Sequence, residues 1–240
     1  MKTKKHQLAA KIYLYLAALF ITSLVVSNLI FQKFFFWYPF DSELFGIRLF
    51  ELSVGILPYP LTFLITDLIS EIYGKKAANR VVIAGIFASF FSMGILLLAD
   101  FVPAIENSPV DDMTFKKVFS LSPLAVLASM IAYLIAQFID IRIYHFWKKL
   151  TKGKLLWIRN NFSTFVSQFL DTFSVILLLS LFGILPWDLF FGLVLSGFVF
   201  KVIVAALDTP LLYIFVWLFR KKFDLEIGEE ISLWTYDKWK

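Results

Sequence analysis

Residues 81–98 read VVIAGIFASFFSMGILLL, a run without a single charged side chain. Wound as an α-helix, it rises roughly 27 Å, close to the ~30 Å hydrocarbon thickness of a bilayer. Similar blocks recur on both sides of it. Apolar stretches of about 20 residues, the length a helix needs to cross a bilayer, lie near Ile12–Phe31, Ser53–Tyr73, Val81–Leu98, Leu124–Phe146, Ser163–Phe182 and Leu189–Phe219. The pattern predicts an all-α integral membrane protein, a bundle of six transmembrane helices. It forms a single domain over residues 1–222, followed by a short cytoplasmic or interfacial tail over 223–240.

Composition agrees. The chain has 240 residues, 29 Phe and 7 Trp, 60% hydrophobic and only 17% charged residues, with a mean hydropathy of +0.78. A soluble domain of this size needs more charge to face water. The first segment does not read as a secretory signal. It is longer than the apolar core of a leader, and Phe34-Phe35-Phe36-Trp37-Tyr38 follows it instead of a small-residue cleavage site. Cysteine is absent, which removes disulfides and thiolate metal sites.

Charge sets the expected orientation. Loops retained in the cytoplasm carry excess Lys and Arg. The N-terminus has Lys2, Lys4, Lys5 and Lys11. The second-to-third loop has Lys75, Lys76 and Arg80, and the fourth-to-fifth has Lys148, Lys149, Lys152, Lys154 and Arg159. Arg220, Lys221 and Lys222 flank the C-terminus. The intervening loops are acidic or nearly uncharged: Asp41, Glu43 and Glu51 against Lys33 and Arg48, then Asp100, Glu106, Asp111 and Asp112 against Lys116 and Lys117, then Asp188. This alternation predicts both termini in the cytoplasm. The net charge of +5 is thereby explained as topological, and no nucleic-acid partner is assigned to it. The loop near Ala99–Pro123 is too short for a domain of its own.

Soluble-enzyme signatures are missing. No G-x-x-x-x-G-K-[ST] loop, H-E-x-x-H or G-x-S-x-G occurs, so an ATP site, a zinc protease and an α/β-hydrolase all lack support. His6 and His145 read as interfacial polar residues. The sequon Asn161-Phe162-Ser163 falls on the expected cytoplasmic side, where it carries no glycan. No metal and no cofactor is expected.

Polar residues inside the apolar blocks carry the functional signal. An ionisable group at the bilayer centre costs about 2.5–3.5 kcal/mol on insertion scales, so such groups pair, face the bundle interior or line a substrate path. Ser23, Ser27 and Asn28 share a helical face in the first segment. Thr62, Thr66 and Ser70 recur in the second, with Asp67 and Glu71 alongside. Tyr133, Gln137, Asp140 and Tyr144 form a stripe in the fourth; Thr164, Gln168, Asp171 and Thr172 form one in the fifth; Lys201 and Asp208 share a face in the sixth. The serines and threonines also fit plain helix packing. Glu71 lies near a membrane boundary and could reach water, Lys201 could bridge to Asp171 or Asp208, and Asp140 could orient the basic loop after it. Asp67, Asp171 and the two glutamines are deeper, and one lysine does not neutralise three acids. Pro210 sits in a run longer than one crossing needs, which predicts a kink near Ala206–Pro210, and broken helices beside carboxylates are typical of transporter sites.

The segments Ile135-Ala136-Gln137-Phe138-Ile139-Asp140 and Val166-Ser167-Gln168-Phe169-Leu170-Asp171 repeat a Gln/Asp pair on helices that run in opposite directions. Asp accepts two hydrogen bonds side by side, and Gln adds one donor and one acceptor. Together they suit a flat heterocycle with an amidine-like edge and a carbonyl.

These stretches also resemble a known family. Tyr59-Pro60-Leu61-Thr62-Phe63-Leu64-Ile65-Thr66-Asp67-Leu68 running to Glu71-Ile72-Tyr73-Gly74, the Gln137–Asp140 and Gln168–Thr172 stretches, Leu156–Thr164 around Arg159-Asn160-Asn161, and Lys201 with Asp208-Thr209-Pro210 are similar to the signature of queuosine precursor transporters, a vitamin-uptake-like group. The similarity covers most of residues 12–220. It implies a multi-pass importer in the bacterial cytoplasmic membrane, supplying 7-cyano-7-deazaguanine or 7-aminomethyl-7-deazaguanine for queuosine modification of tRNA, and not an enzyme. The expected substrate-binding residues are Asn28, Asp67, Gln137, Asp140, Asn161, Gln168, Asp171 and Lys201. The sequence does not choose which carboxylate meets the heterocycle, how transport is driven, or what oligomer forms. The competing readings are a substrate-binding membrane subunit of an ATP-driven vitamin uptake complex, and an intramembrane enzyme, for which no nucleophile–base set is present.

Overall fold

The computed structural model describes residues 2–31, 33–36, 43–44, 47–48, 51–119, 123–183 and 185–233, and among these described residues seven α-helices form. They are α1 (Lys2–Ile30), α2 (Tyr59–Ile72), α3 (Lys75–Asp100), α4 (Asp112–Phe119), α5 (Pro123–Leu150), α6 (Leu156–Leu181) and α7 (Phe190–Phe223). Among the described residues, α1, the segment Val54–Ile72, α3, α6 and α7 are each long and apolar enough to cross a membrane. The 28-residue α5 matches them in length.

Burial is inverted relative to a water-soluble fold. Leu14, Phe87, Phe91, Leu98 and Trp217 lie on the outside, while Thr62, Thr66, Gln137, Asp140, Arg159 and Ser167 are completely enclosed. Apolar outside and polar inside is the arrangement a lipid solvent selects. The chain is a multi-pass α-helical membrane protein.

Helix α2 lies at the centre, against α1, α3, α5 and α7. It is buried from Thr62 to Ile72 with few gaps, so it reads as a continuous apolar helix interrupted by polar side chains aimed at neighbours. The helices α5 and α6 form an antiparallel hairpin closed by a turn in which Lys152 and Gly153 take positive φ. Gly85 of α3 lets α1 approach: a Cβ there would sit 2.6 Å from the Phe20 ring. At the edge of the bundle, the Asp111 carboxylate accepts the Thr114 N–H at 2.6 Å and caps α4, which holds its carboxyl below the usual range.

Several boundaries differ from expectation. The second segment is not one helix from Ser53 to Tyr73. It opens with a strand and a 3-10 turn (Val54–Ile56), and α2 begins only at Tyr59. Pro58 and Pro60 explain the break, because proline lacks a donor and is accommodated in a first helical turn. The loop before it is not all-α: β1 (Phe34–Phe36) pairs antiparallel with β4 (Glu51–Ser53), and β2 (Glu43–Leu44) with β3 (Ile47–Arg48). Aromatic runs such as Phe34-Phe35-Phe36 favour a pleated pairing as readily as a helix. Helix α4 lies inside the loop near Ala99–Pro123, which is too short for a domain but holds this one short helix. Pro210 is held within α7, where the Thr209 hydroxyl donates to the Ala205 carbonyl at 3.0 Å. Trp37, Tyr38 and Asp41, and Trp234, Tyr236 and Trp239 of the tail, lie outside the described residues. The earlier part of that tail folds back under the bundle: Ile231 N–H donates to the Ile72 carbonyl at 2.7 Å, and Glu230 accepts from Lys148 at 2.8 Å.

Candidate functional site

A cavity of about 500 Å³ opens between the ends of α1, α2, α5, α6 and α7 that lie away from the basic loops. Its walls are largely apolar, and its polar groups are few and convergent, as small-molecule sites require. Asp171 of α6 is the main one. The Tyr59 hydroxyl and the Lys201 ammonium both donate to Asp171 Oδ2, each at 2.5 Å. The Lys201 ammonium also sits 4.5 Å from the centroid of the Tyr59 ring. Because both donors use Oδ2, Oδ1 is left for an incoming N–H. The prolines that break the second segment thus have a local consequence: they place Tyr59 in the first turn of α2, at the cavity.

The aromatic side of the cavity is Tyr59 with Tyr133, edge-on at 5.6 Å between centroids. Behind them, Gln137 Nε2 donates to the Tyr133 hydroxyl at 2.9 Å. Asn28 lines the opposite wall beside Ser27, whose hydroxyl donates to the Gly55 carbonyl and ties α1 to the 3-10 turn.

A second, water-sized space of about 20 Å³ lies deeper, lined by Asp67, Asn160, Thr164, Gln168, Lys201 and Asp208 among others. Lys201 and Tyr59 border both spaces. Asp140 is fully enclosed beside it, accepting from the Ser167 hydroxyl at 2.8 Å and lying within hydrogen-bonding reach of Asp67.

Closer to the basic loops, an ion cluster closes the bundle. Glu71 of α2 is 1% exposed and receives Arg159 at 2.7 Å, Arg220 at 2.5 Å and the Tyr144 hydroxyl at 3.0 Å, with Lys148 at 3.6 Å. Arg159 also donates to the carbonyls of Gly153 and Lys154 at the end of the α5–α6 turn. Glu71 therefore does not reach water, and Asp140 is bonded to α6 instead of orienting the basic loop.

The eight expected substrate-binding residues do not share one space. Asn28, Asp171 and Lys201 line the larger cavity; Asp67 and Gln168 line the smaller one, which Lys201 joins. Gln137 and Asp140 are packed behind the walls. Asn161 sits between α6 and α7, donating to the Trp157 carbonyl at 2.9 Å, with its side-chain oxygen 3.3 Å from the Thr209 hydroxyl. Tyr59 was not singled out by sequence as a site residue, although it stands at helical spacing from Thr62 and Thr66. Arg159 and Lys148 were read as loop charges, and only their places within helical register with Ser163 and Tyr144 could have hinted at burial. Among the described residues, no group of three His, Asp or Glu side chains gathers as a metal site.

Residues 53–215 match the family model described as "Putative vitamin uptake transporter". The chain belongs to this family. A curated relative from Bacillus subtilis (strain 168), named "Probable queuosine precursor transporter", is 30% identical over 176 residues, covering 71% of this chain and 73% of the relative. No solved structure matches the chain. The resemblance carried by the Tyr59–Gly74, Gln137–Asp140 and Gln168–Thr172 stretches is borne out. Most of the cavity lining, Asp67 and Asp140, and all of the ion cluster but Arg220 fall inside the matched residues, whereas the whole of α1 and the C-terminal tail lie outside the matched span.

Proposed function

We propose that this vitamin-uptake-type transporter imports a 7-deazaguanine, 7-cyano-7-deazaguanine or its 7-aminomethyl analogue, across the bacterial cytoplasmic membrane for queuosine synthesis. The supporting observation is the Tyr59–Asp171–Lys201 group at the larger cavity. A deazaguanine presents adjacent N1–H and 2-amino donors, which a carboxylate accepts side by side, and a ring carbonyl that accepts from an ammonium or amide. Asp171 takes the donor edge, Lys201 swings from Asp171 to the carbonyl, and the ring lies against Tyr59 and Tyr133. Asn28 and Gln168 supply the remaining amide contacts, Gln137 fixes Tyr133 from behind, and Asn161 holds α6 to α7.

The orientation follows from charge. With six crossings, α5 included, the basic loops and both termini are cytoplasmic, the larger cavity opens outward, and the ion cluster around Glu71 closes the inner end. Alternating access then requires the cluster to part while the outer ends close. Pro210, whose missing N–H frees the Ala206 carbonyl, gives α7 a place to bend in that motion.

Equilibrium binding of each 7-deazaguanine to the purified protein tests the site. Wild type binds and Asp171→Asn binds roughly five- to 150-fold more weakly, the cost of about 1–3 kcal/mol for an unpaired polar group. Equal affinity in the two would remove Asp171 from the site.

A further inference from the structure

We propose that Asp67 and Asp140 form a proton-carrying pair that couples transport to the proton gradient. The identity of the cargo rests on the function proposed above; the proton site does not. Asp67 is 3% exposed and Asp140 0%, on two different helices, α2 and α5, within hydrogen-bonding reach of each other. Two carboxylates at such a distance in a lipid-enclosed interior do not both stay ionised, because burial and their mutual repulsion both disfavour the second charge.

Among the described residues, each cation near the pair is also committed to another carboxylate. Lys201 is committed to Asp171, and Arg159, the cation facing Asp67 from α6, is committed to Glu71. From α7 the pair faces a further carboxylate, Asp208. The other titratable neighbours are Tyr133 and Tyr144 of α5 itself and Glu71 on α2. Among the described residues, α1 and α3 bring only serines, Ser23, Ser27 and Ser89, as buried polar side chains. A proton is the remaining neutralising ligand.

The hydrogen bonds say which carboxyl holds it. Asp140 is the acceptor, since Ser167 donates to it at 2.8 Å and Ser163 lies in reach. Asp67 Oδ1 and Asp140 Oδ2 each lack a protein donor, but only Asp140 has a side-chain hydroxyl, that of Ser167, donating to its other oxygen. Asp67 is thus the acid and Asp140 the carboxylate, and their O–H···O bond ties α2 to the α5–α6 hairpin. The pair lies between the larger cavity and the Glu71 cluster. A proton arriving through the cavity adds to Asp67 and locks α2 to α5; its release on the other side leaves two repelling carboxylates and separates those helices. No bond other than O–H forms or breaks, and one proton crosses per cycle.

Two measurements test this. In detergent, the infrared carbonyl stretch of a protonated carboxyl should be present in wild type, absent in Asp67→Asn, and retained at a shifted position in Asp140→Asn. A spectrum unchanged by Asp67→Asn would overturn the site. In liposomes, an inward proton gradient should drive wild type to accumulate labelled 7-deazaguanine above the outside level. Asp67→Asn and Asp140→Asn, however slowly they exchange the label, should stop at inside equal to outside. Gradient-driven accumulation by Asp67→Asn, or wild-type exchange that no proton gradient can drive uphill, would overturn the coupling. A wild type that moves no 7-deazaguanine at all would instead fail the proposed cargo, and the infrared comparison would still decide the proton site. Should Asp67→Asn not insert, Asp140→Asn carries both measurements.

Discussion

At Asp171, one carboxylate oxygen accepts from a phenol and an ammonium, so its pairing with Lys201 and its availability to cargo are in competition. Removing one member of a buried ion pair typically costs about 3–5 kcal/mol, whereas replacing both by neutral groups is often tolerated. Lys201→Met should therefore lower the yield of inserted protein and its thermal stability in detergent. Lys201→Met combined with Asp171→Asn should recover much of that stability without recovering uptake. A double variant that transports like wild type would make the pair a structural bridge only. Gln168→Leu should leave yield intact, because leucine suits an apolar interior, and should lower uptake normalised to inserted protein. The spacing of Gln168, Asp171 and Lys201 made these residues legible in the sequence, because polarity in an apolar block stands out. Tyr59 was less legible: a tyrosine beside two prolines looks like any membrane-interface residue, and its aim into the cavity depends on where α2 starts.

Among the elements, α2 differs most from its sequence appearance. Nineteen residues from Val54 to Ile72 are apolar enough to cross, yet only Tyr59–Ile72 is α-helical. Periodicity sees hydrophobic length but not the place where proline interrupts it. The same blindness hid the Glu71 cluster. Arg159 and Lys148 look like loop charges because they flank a loop, while their side chains turn inward onto α2. Arg159→Ala leaves Glu71 with Arg220, Lys148 and Tyr144 but strips the Gly153 and Lys154 carbonyls of their donor, and should lower stability by about 1–3 kcal/mol. Arg159→Lys should not rescue it fully, since a single ammonium does not reproduce a guanidinium that also reaches the Gly153 and Lys154 carbonyls. Full recovery by lysine would mean that charge alone matters there. The α1–α3 contact gives a separate test. Gly85→Ala forces a methyl against the Phe20 ring and should cost about 1–3 kcal/mol, partly relieved by Phe20→Leu. Indifference to Gly85→Ala would mean that α1 and α3 pack less closely than the 2.6 Å approach implies.

For the whole molecule, the helical membrane class and most helix positions could be read from hydropathy, since lipid imposes one rule on every crossing. The convergence of stripes could be anticipated only in part: they share the bundle interior but divide into a cavity, an acidic layer and an ion cluster, and that division depends on depth along five helices, which spacing within one helix does not encode. Orientation rests on charge. Lys148, Arg159 and Arg220 are tied into the cluster, yet Lys149, Lys152 and Lys154 remain on the α5–α6 side, so the sign of the rule survives. Cysteines placed at Asn107 and Lys152 in this Cys-free chain should label differently with an impermeant reagent on intact cells, Asn107 reacting and Lys152 not; the reverse would invert the bundle. The decisive measurement is uptake of labelled 7-cyano- and 7-aminomethyl-7-deazaguanine by liposomes containing only this protein. Wild type should take up label without any ATPase partner, and Asp171→Asn should lose that uptake. No uptake by well-inserted wild type would contradict the assigned cargo and its transport without a partner, and equal uptake by Asp171→Asn would contradict the assigned site.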